Sequence, residues 1–169
     1  MRAALPDPSV SFIGTVYRAL NPIYARDPLS GMGARRFGGR FNAKGRPALY
    51  TALSVMGAVA EANQIGRPFE PVVLVSYSVD QRNIFDATDA DHLAAYGIDA
   101  ALLAADDWRL QMMRGGASYG QNTAETLVMA GYSGMIVPSF ARGTAPDTRN
   151  LVLWRWPRLT VTDTEGRLT

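Results

Sequence analysis

Apolar residues in this chain fall into short runs separated by polar, glycine- and proline-bearing stretches, and their period changes along the sequence. Residues 11–20 (SFIGTVYRAL) are mostly β-branched, aromatic or small, with Arg18 near the end, and predict a strand. Asn21 to Pro47 holds three prolines and five glycines with no sustained period, and so long a structureless stretch inside a domain usually has a function. Residues 48–52 (ALYTA) predict a short strand. Ser54 stands where an N-cap would, ahead of a helical run that ends near Gly66 with Pro68 beyond. PVVLVSYSV (71–79) reads as a buried strand and NIFDA (83–87) as another. Asp89 to Met113 predicts two or three short helices broken at Gly97. Residues 119–134 predict a longer helix with Gly131 near its C-cap, and 134–139, 150–156 and 159–163 predict strands.

The strands thus come in clusters with helices inserted between them. The segment 48–52, the following helix and 71–79 have the spacing of a βαβ crossover, and no other segment does. The pattern predicts an α+β fold in a single domain over residues 1–169, with a mainly antiparallel central sheet and inserted helices.

Composition narrows the chemistry. Apolar residues make up 47% of the chain, too many for a disordered protein. With no cysteine, disulfides and thiolate zinc sites are excluded, and a reducing compartment is suited. With one histidine, His92, a multi-histidine metal site is excluded as well. The N-terminal residues lack an apolar core of signal-peptide length, and no run approaches the ~20 apolar residues that span a bilayer, so a soluble cytoplasmic protein is expected. Net charge is only +2, which argues against a general polyanion binder. The charge is nonetheless segregated. Pro28 to Ala60 contains five cations and no acid, whereas Asp80 to Asp107 contains seven aspartates and one arginine.

The cations concentrate in GARRFGGRFNAKGR (33–46). Glycines let backbone N–H groups approach an anion, and arginines add bidentate donors, so the segment suits a diphosphate; a surface hairpin with solvated arginines is the plainer alternative. Neither a Walker A loop nor G-x-G-x-x-G after a strand is present. Glu61 lies mid-helix with Gly57, Ala58 and Ile65 on its face, where small residues leave room for a ligand or a close strand. Arg18 can point into a cleft or close an ion pair. Tyr50 can be core or a stacking platform, Ser139 a turn residue or a hydrogen-bond donor, and His92 reads as surface.

The order of these elements adds what no single residue does. Arg18 on a strand, GARRFGGRFN, ALYTA, a helix with Ala58-x-x-Glu61, GMIVPS and NLVL together resemble the RES-domain family over roughly residues 14–156. These are toxin halves of bacterial toxin–antitoxin pairs, named for an arginine, a glutamate and a serine. Many relatives carry Trp where this chain has Phe41. The resemblance implies a fold similar to ADP-ribosyltransferases and consumption of NAD+ by cleavage of its nicotinamide–ribose bond. It implies Arg18, Glu61 and Ser139 as the name-giving residues, with Arg40 and Tyr50 as further pocket residues. It also implies a helix-turn-helix (Xre-type) antitoxin that occludes the active site.

Such cleavage passes through an oxocarbenium-like state on the ribose, and the leaving group is already cationic, so neither a strong acid nor a metal is required. Glu61 is expected to accept the ribose 2-hydroxyl and favour the developing cation. Arg18, Arg40 and the amides of Gly38 and Gly39 are expected to clamp the diphosphate, Tyr50 to stack on nicotinamide, and Ser139 to bond Glu61 or the ribose. The sequence shows no obvious base for activating water. That favours ADP-ribosyl transfer to a protein target, with NAD+ hydrolysis as a side reaction and phosphorolysis as the main competitor, since the same arginines can hold free phosphate. An RNA-cleaving or nucleic-acid-binding protein is a more distant alternative.

Overall fold

In a computed structural model of the chain, residues 8–63, 70–163 and 165–167 are described. Strand β1 (Ser9–Leu20) runs antiparallel to β3 (Val73–Asp86) along almost its full length, from Ser9 opposite Phe85 to Leu20 opposite Val73. Between them come helix α1 (Met32–Phe37), strand β2 (Leu49–Ala52) and helix α2 (Val55–Asn63). Four further helices follow: α3 (Ala90–Ala95), α4 (Ala100–Ala104), α5 (Trp108–Gly115) and α6 (Tyr119–Met129). Strands β4 (Gly134–Pro138), β5 (Arg149–Leu153) and β6 (Leu159–Val161) complete the order.

The sheet order is β1-β2-β5-β4-β3-β6, and the β1–β3 pairing closes it on itself. The result is a barrel, with β6 added beside β4 on the same side of β3. Closure removes the sheet edges that an open sheet would leave unpaired. Every pairing is antiparallel except β3–β4. A parallel pair needs a long crossover, and α3 to α6 supply it. The crossover expected from 48–52 to 71–79 is therefore in the wrong place, because β2 and β3 are not neighbours.

Alternation along the strands divides the apolar residues into two cores. Val16, Leu20, Leu49, Val75, Tyr77, Val79, Ile84, Leu151 and Leu153 fill the barrel. The opposite face of β4 and β5, with Met135, Val137 and Val152, packs against Leu93, Leu103, Ala124, Leu127 and Val128 of the helices. Residues 73–86 form one strand rather than the expected two. The polar break that separates the two predicted runs is a bulge, with a register shift opposite Val10–Phe12 and Asn83 at φ 57°.

The acidic segment is largely used locally. Asp89 and Asp99 cap α3 and α4 through their side chains, Asp86 binds the Thr88 N–H at 2.9 Å, and Asp80 pairs with Arg158 at 2.6 Å. His92, expected at the surface, has a side chain only 22% exposed, set 6.2 Å from the Phe85 ring with Asp89 nearby. Helix α3 packs its inner face over β3, and His92 follows it inward.

Candidate functional site

The glycine-rich arginine segment is tied down rather than loose. Its hub is Asn42, which is fully buried. The Asn42 amide donates to the Ala34 and Arg46 carbonyls at 2.8 and 2.9 Å and accepts the Tyr50 hydroxyl at 2.6 Å. The same hydroxyl accepts the Phe41 N–H at 3.0 Å. Helix α6 holds the segment from the other side: Gln121 donates to the Gly39 carbonyl at 2.9 Å, and Glu125 pairs with Arg46. Trp154 donates to the Phe41 carbonyl at 2.9 Å. Residues expected to be without structure thus include helix α1 and a hydrogen-bonded turn.

This corrects the role expected of the two glycines. The Gly38 N–H donates to the Ala34 carbonyl at 2.8 Å and the Gly39 N–H to the Asn42 carbonyl at 2.9 Å, so neither is free to bind a phosphate. Glycine is required for other reasons. Gly38 has φ 75°, and a Cβ on Gly39 would lie 2.5 Å from the Tyr50 hydroxyl oxygen.

Around this turn opens a cavity of about 850 Å³ lined by residues from several distant elements. Arg18 comes from β1, Gly38, Gly39 and Arg40 from the turn, Tyr50 from β2, and Glu61 from α2. The structure therefore brings these sequence-predicted residues to one cavity, with Ser139 bound to Glu61 beside it. Gly57 and Ala58, one turn before Glu61 on the same side of α2, are buried, and a Cβ on Gly57 would meet Ser54 and Thr148 within 3.2 Å, so the small residues let α2 approach the sheet closely. Ile65, expected on the same face, lies outside the described residues.

The carboxylate of Glu61 is fixed by two donors, one just beyond the end of β4 and one on β5. The Ser139 hydroxyl and the Asn150 amide each donate to Oε1 at 2.8 Å. Among the described residues no partner binds Oε2. Asn150 was not singled out by sequence reading; its signal is an amide opening an otherwise apolar strand, NLVL.

The arginines divide into engaged and free. Arg40, 17% exposed at its side chain, donates to the Leu103 and Ala105 carbonyls at 3.3 and 3.0 Å and pairs with Asp106 at 3.4 Å. Its guanidinium also sits 4.9 Å from the Phe140 ring centre. Its first task is thus to fasten the end of α4 to the turn, not to wait for a ligand. Arg18 donates to the Pro28 carbonyl at 3.2 Å, sharing that acceptor with the Tyr77 hydroxyl at 2.7 Å. Arg109 and Arg142 also line the cavity, and among the described residues neither guanidinium has a hydrogen-bond or carboxylate partner; Arg109 stacks on Trp108 at 4.2 Å. Sequence reading missed both, because they lie outside the basic cluster. Burial pushes the Tyr50 hydroxyl well above the ordinary tyrosine value, against the opposing pull of the Phe41 N–H and Arg40. The hydroxyl is therefore a neutral structural anchor, and the ring is what Tyr50 offers the cavity.

Among the described residues no group of three or more His, Asp or Glu side chains is placed to hold a metal ion, and no helix is long and apolar enough to cross a membrane.

The RES domain family model matches residues 15–167. The chain is 30% identical to the NAD(+) phosphorylase MbcT of Mycobacterium bovis and of Mycobacterium tuberculosis over 132 residues, covering 72% of this chain and 71% of the relative. Its fold is shared with the M. tuberculosis toxin in the crystal structure of the MbcT–MbcA toxin–antitoxin complex. That match has a TM-score of 0.63 and 24% identity and covers 92% of this chain and 84% of the other. The relatives' name overturns the expectation of ADP-ribosyl transfer to a protein, since a phosphorylase passes its glycosyl group to phosphate.

Proposed function

This chain belongs to the RES domain family, and on that premise we propose that it is an NAD+ phosphorylase, a toxin that depletes NAD+. The observation that carries the reading is Glu61: a carboxylate with Oε1 held by Ser139 and Asn150, in a cavity also lined by Arg109 and Arg142, whose guanidinium groups have no hydrogen-bond or carboxylate partner among the described residues.

In this reading a phosphate oxygen bonds to the ribose carbon that carries nicotinamide as the carbon–nitrogen bond breaks. The electron pair of that bond leaves with the ring nitrogen, which loses its positive charge and needs no proton. The products are nicotinamide and ADP-ribose phosphorylated at that carbon. Glu61 accepts the neighbouring ribose hydroxyl and favours the positive charge that develops on the sugar. Ser139 orients Glu61. Arg18, Arg109 and Arg142 hold the dinucleotide phosphates and the incoming phosphate, for which their always-charged bidentate forks are suited. Gly38 and Gly39 leave room, Arg40 braces the wall, and the Tyr50 ring packs on nicotinamide. An external nucleophile of this kind explains why the cavity needs no base for water. A cationic leaving group needs no metal, so the rate is expected to be indifferent to chelators.

The reading includes three finer points: residues 1–169 act as one RES-like domain in the cytoplasm, the fold keeps the family's likeness to ADP-ribosyltransferases, and a cognate helix-turn-helix antitoxin covers the cavity. The family match over 15–167 and the antitoxin complex of the similar toxin support them. The deciding experiment incubates the purified chain with NAD+, with and without phosphate, and identifies products by mass spectrometry. Phosphorolysis gives the phosphorylated sugar only when phosphate is present. Plain ADP-ribose formed equally fast without phosphate would replace this reading by a glycohydrolase.

A further inference from the structure

We propose that Asn150 is a positioning residue for Glu61, retained for its amide donor although the rest of the side chain is badly accommodated. Asn150 lies on β5 with partners on both sides, opposite Ala52 of β2 and Val137 of β4. A strand position paired on both sides favours β-branched or aromatic residues and disfavours asparagine. The residue two further along on the same face, Val152, is apolar and buried. Packing alone would place an apolar residue here.

Hydrogen-bond satisfaction does not explain it either. Asn150 Nδ2 donates to Glu61 Oε1 at 2.8 Å, but Asn150 Oδ1 is buried and has no hydrogen-bond partner among the described residues. The amide orientation follows from chemistry, because an ionised carboxylate accepts and cannot donate. A buried acceptor without a partner loses its hydration and regains nothing. The side chain is therefore half satisfied, and its satisfied half serves Glu61. Ser139 donates to the same oxygen at 2.8 Å from just beyond β4. Two donors, one just beyond the end of β4 and one on β5, fix where Oε1 sits, and so where Oε2 is presented.

The inference deepens the phosphorylase reading and rests on it for its kinetic measurements alone. The test compares Asn150→Leu and Asn150→Asp with the wild-type chain. Leucine removes the donor and the orphaned acceptor together at similar volume. Its urea midpoint is expected to equal or exceed that of the wild type. At saturating phosphate its kcat for nicotinamide release should fall roughly ten- to a hundredfold, the scale for a hydrogen bond to a charged group, with KM for NAD+ within about twofold. Asn150→Asp sets a second carboxylate against Glu61, so one shared proton restores a donor, and its rate relative to wild type should recover between about pH 8 and about pH 5. A Leu variant less stable than wild type overturns the proposal, as does one with wild-type kcat, or an Asp variant whose relative rate is flat with pH. If the wild-type chain releases no nicotinamide, the phosphorylase reading fails by itself, and the urea comparison still decides Asn150.

Discussion

At the scale of single residues, the site separates side chains that hold the protein from side chains that face a ligand. In the proposed function Glu61 belongs to the second group. Glu61→Gln keeps the shape and the contact with Ser139 but removes the charge set against a cationic sugar. Turnover should fall by roughly a hundredfold or more while the fold and most NAD+ affinity persist. Nicotinamide release at saturating substrate checks this, and a near-wild-type rate removes Glu61 from its role. The Tyr50 hydroxyl belongs to the first group. Below the ordinary tyrosine value of 10.0 it is neutral both folded and unfolded, so it gives stability no pH dependence. Above that value the unfolded chain loses the proton while the buried hydroxyl keeps it, so stability falls as pH rises. Tyr50→Phe should flatten that fall by up to about 1.4 kcal/mol per pH unit, measured by urea unfolding between about pH 9 and 11. Tyr77, raised by burial in the same direction, keeps part of the slope. Arg18, Glu61 and Tyr50 could be singled out in the sequence only through the order of motifs that resembles the RES-domain family, since none of them stands out alone. Asn150, Arg109 and Arg142 could not be, since only the fold reveals their neighbours.

At the scale of elements, the basic turn shows why a run of like charges need not act as one patch. Arg35 and Arg36 lie on the exposed side of α1, Arg46 pairs with α6, and Arg40 is spent on the C-terminal end of α4. Sequence spacing gave their proximity but not their directions, which depend on α1 and on the buried Asn42. The expectation that Arg40 clamps the diphosphate therefore changes form. Arg40→Ala strands two part-buried carbonyls and should cost roughly 1–3 kcal/mol of stability. Arg142→Ala leaves no protein group unpartnered and should be neutral for folding, within about 0.5 kcal/mol. For binding of an uncleavable NAD+ analogue, Arg142→Ala should nonetheless cost roughly 1.5–3 kcal/mol, as a charge-assisted hydrogen bond does. Denaturation curves and titration calorimetry on both variants check the pair. A stable Arg40→Ala protein together with an Arg142→Ala protein of unchanged affinity would reverse the assignment. The acidic segment was equally opaque from sequence: its aspartates look like a patch until the helix N-termini they cap are seen.

At the scale of the molecule, most strands and helices were legible from period and turn residues, whereas closure of the sheet was not. No local pattern encodes the pairing of β1 with both β2 and β3, and the bulge at Asn83 hid the continuity of β3. Closure matters because the cavity draws on β1, the basic turn, β2, α2, α5 and β5 at once. A ligand bound there touches elements from both ends of the chain and finds no such set in the unfolded state. Binding must then stabilise the whole fold by mass action, by about 2.7 kcal/mol at a hundred times Kd. A protein of this length shifts its Tm by roughly 2–4 °C per kcal/mol, so the expected rise is about 5–10 °C. The measurement is best made on Glu61→Gln, where slow turnover preserves the NAD+. In the double variant with Arg142→Ala, the same NAD+ concentration should give a clearly smaller rise, because fewer charge-assisted contacts are made. No rise in Glu61→Gln at any NAD+ concentration would show that the cavity is not the dinucleotide site.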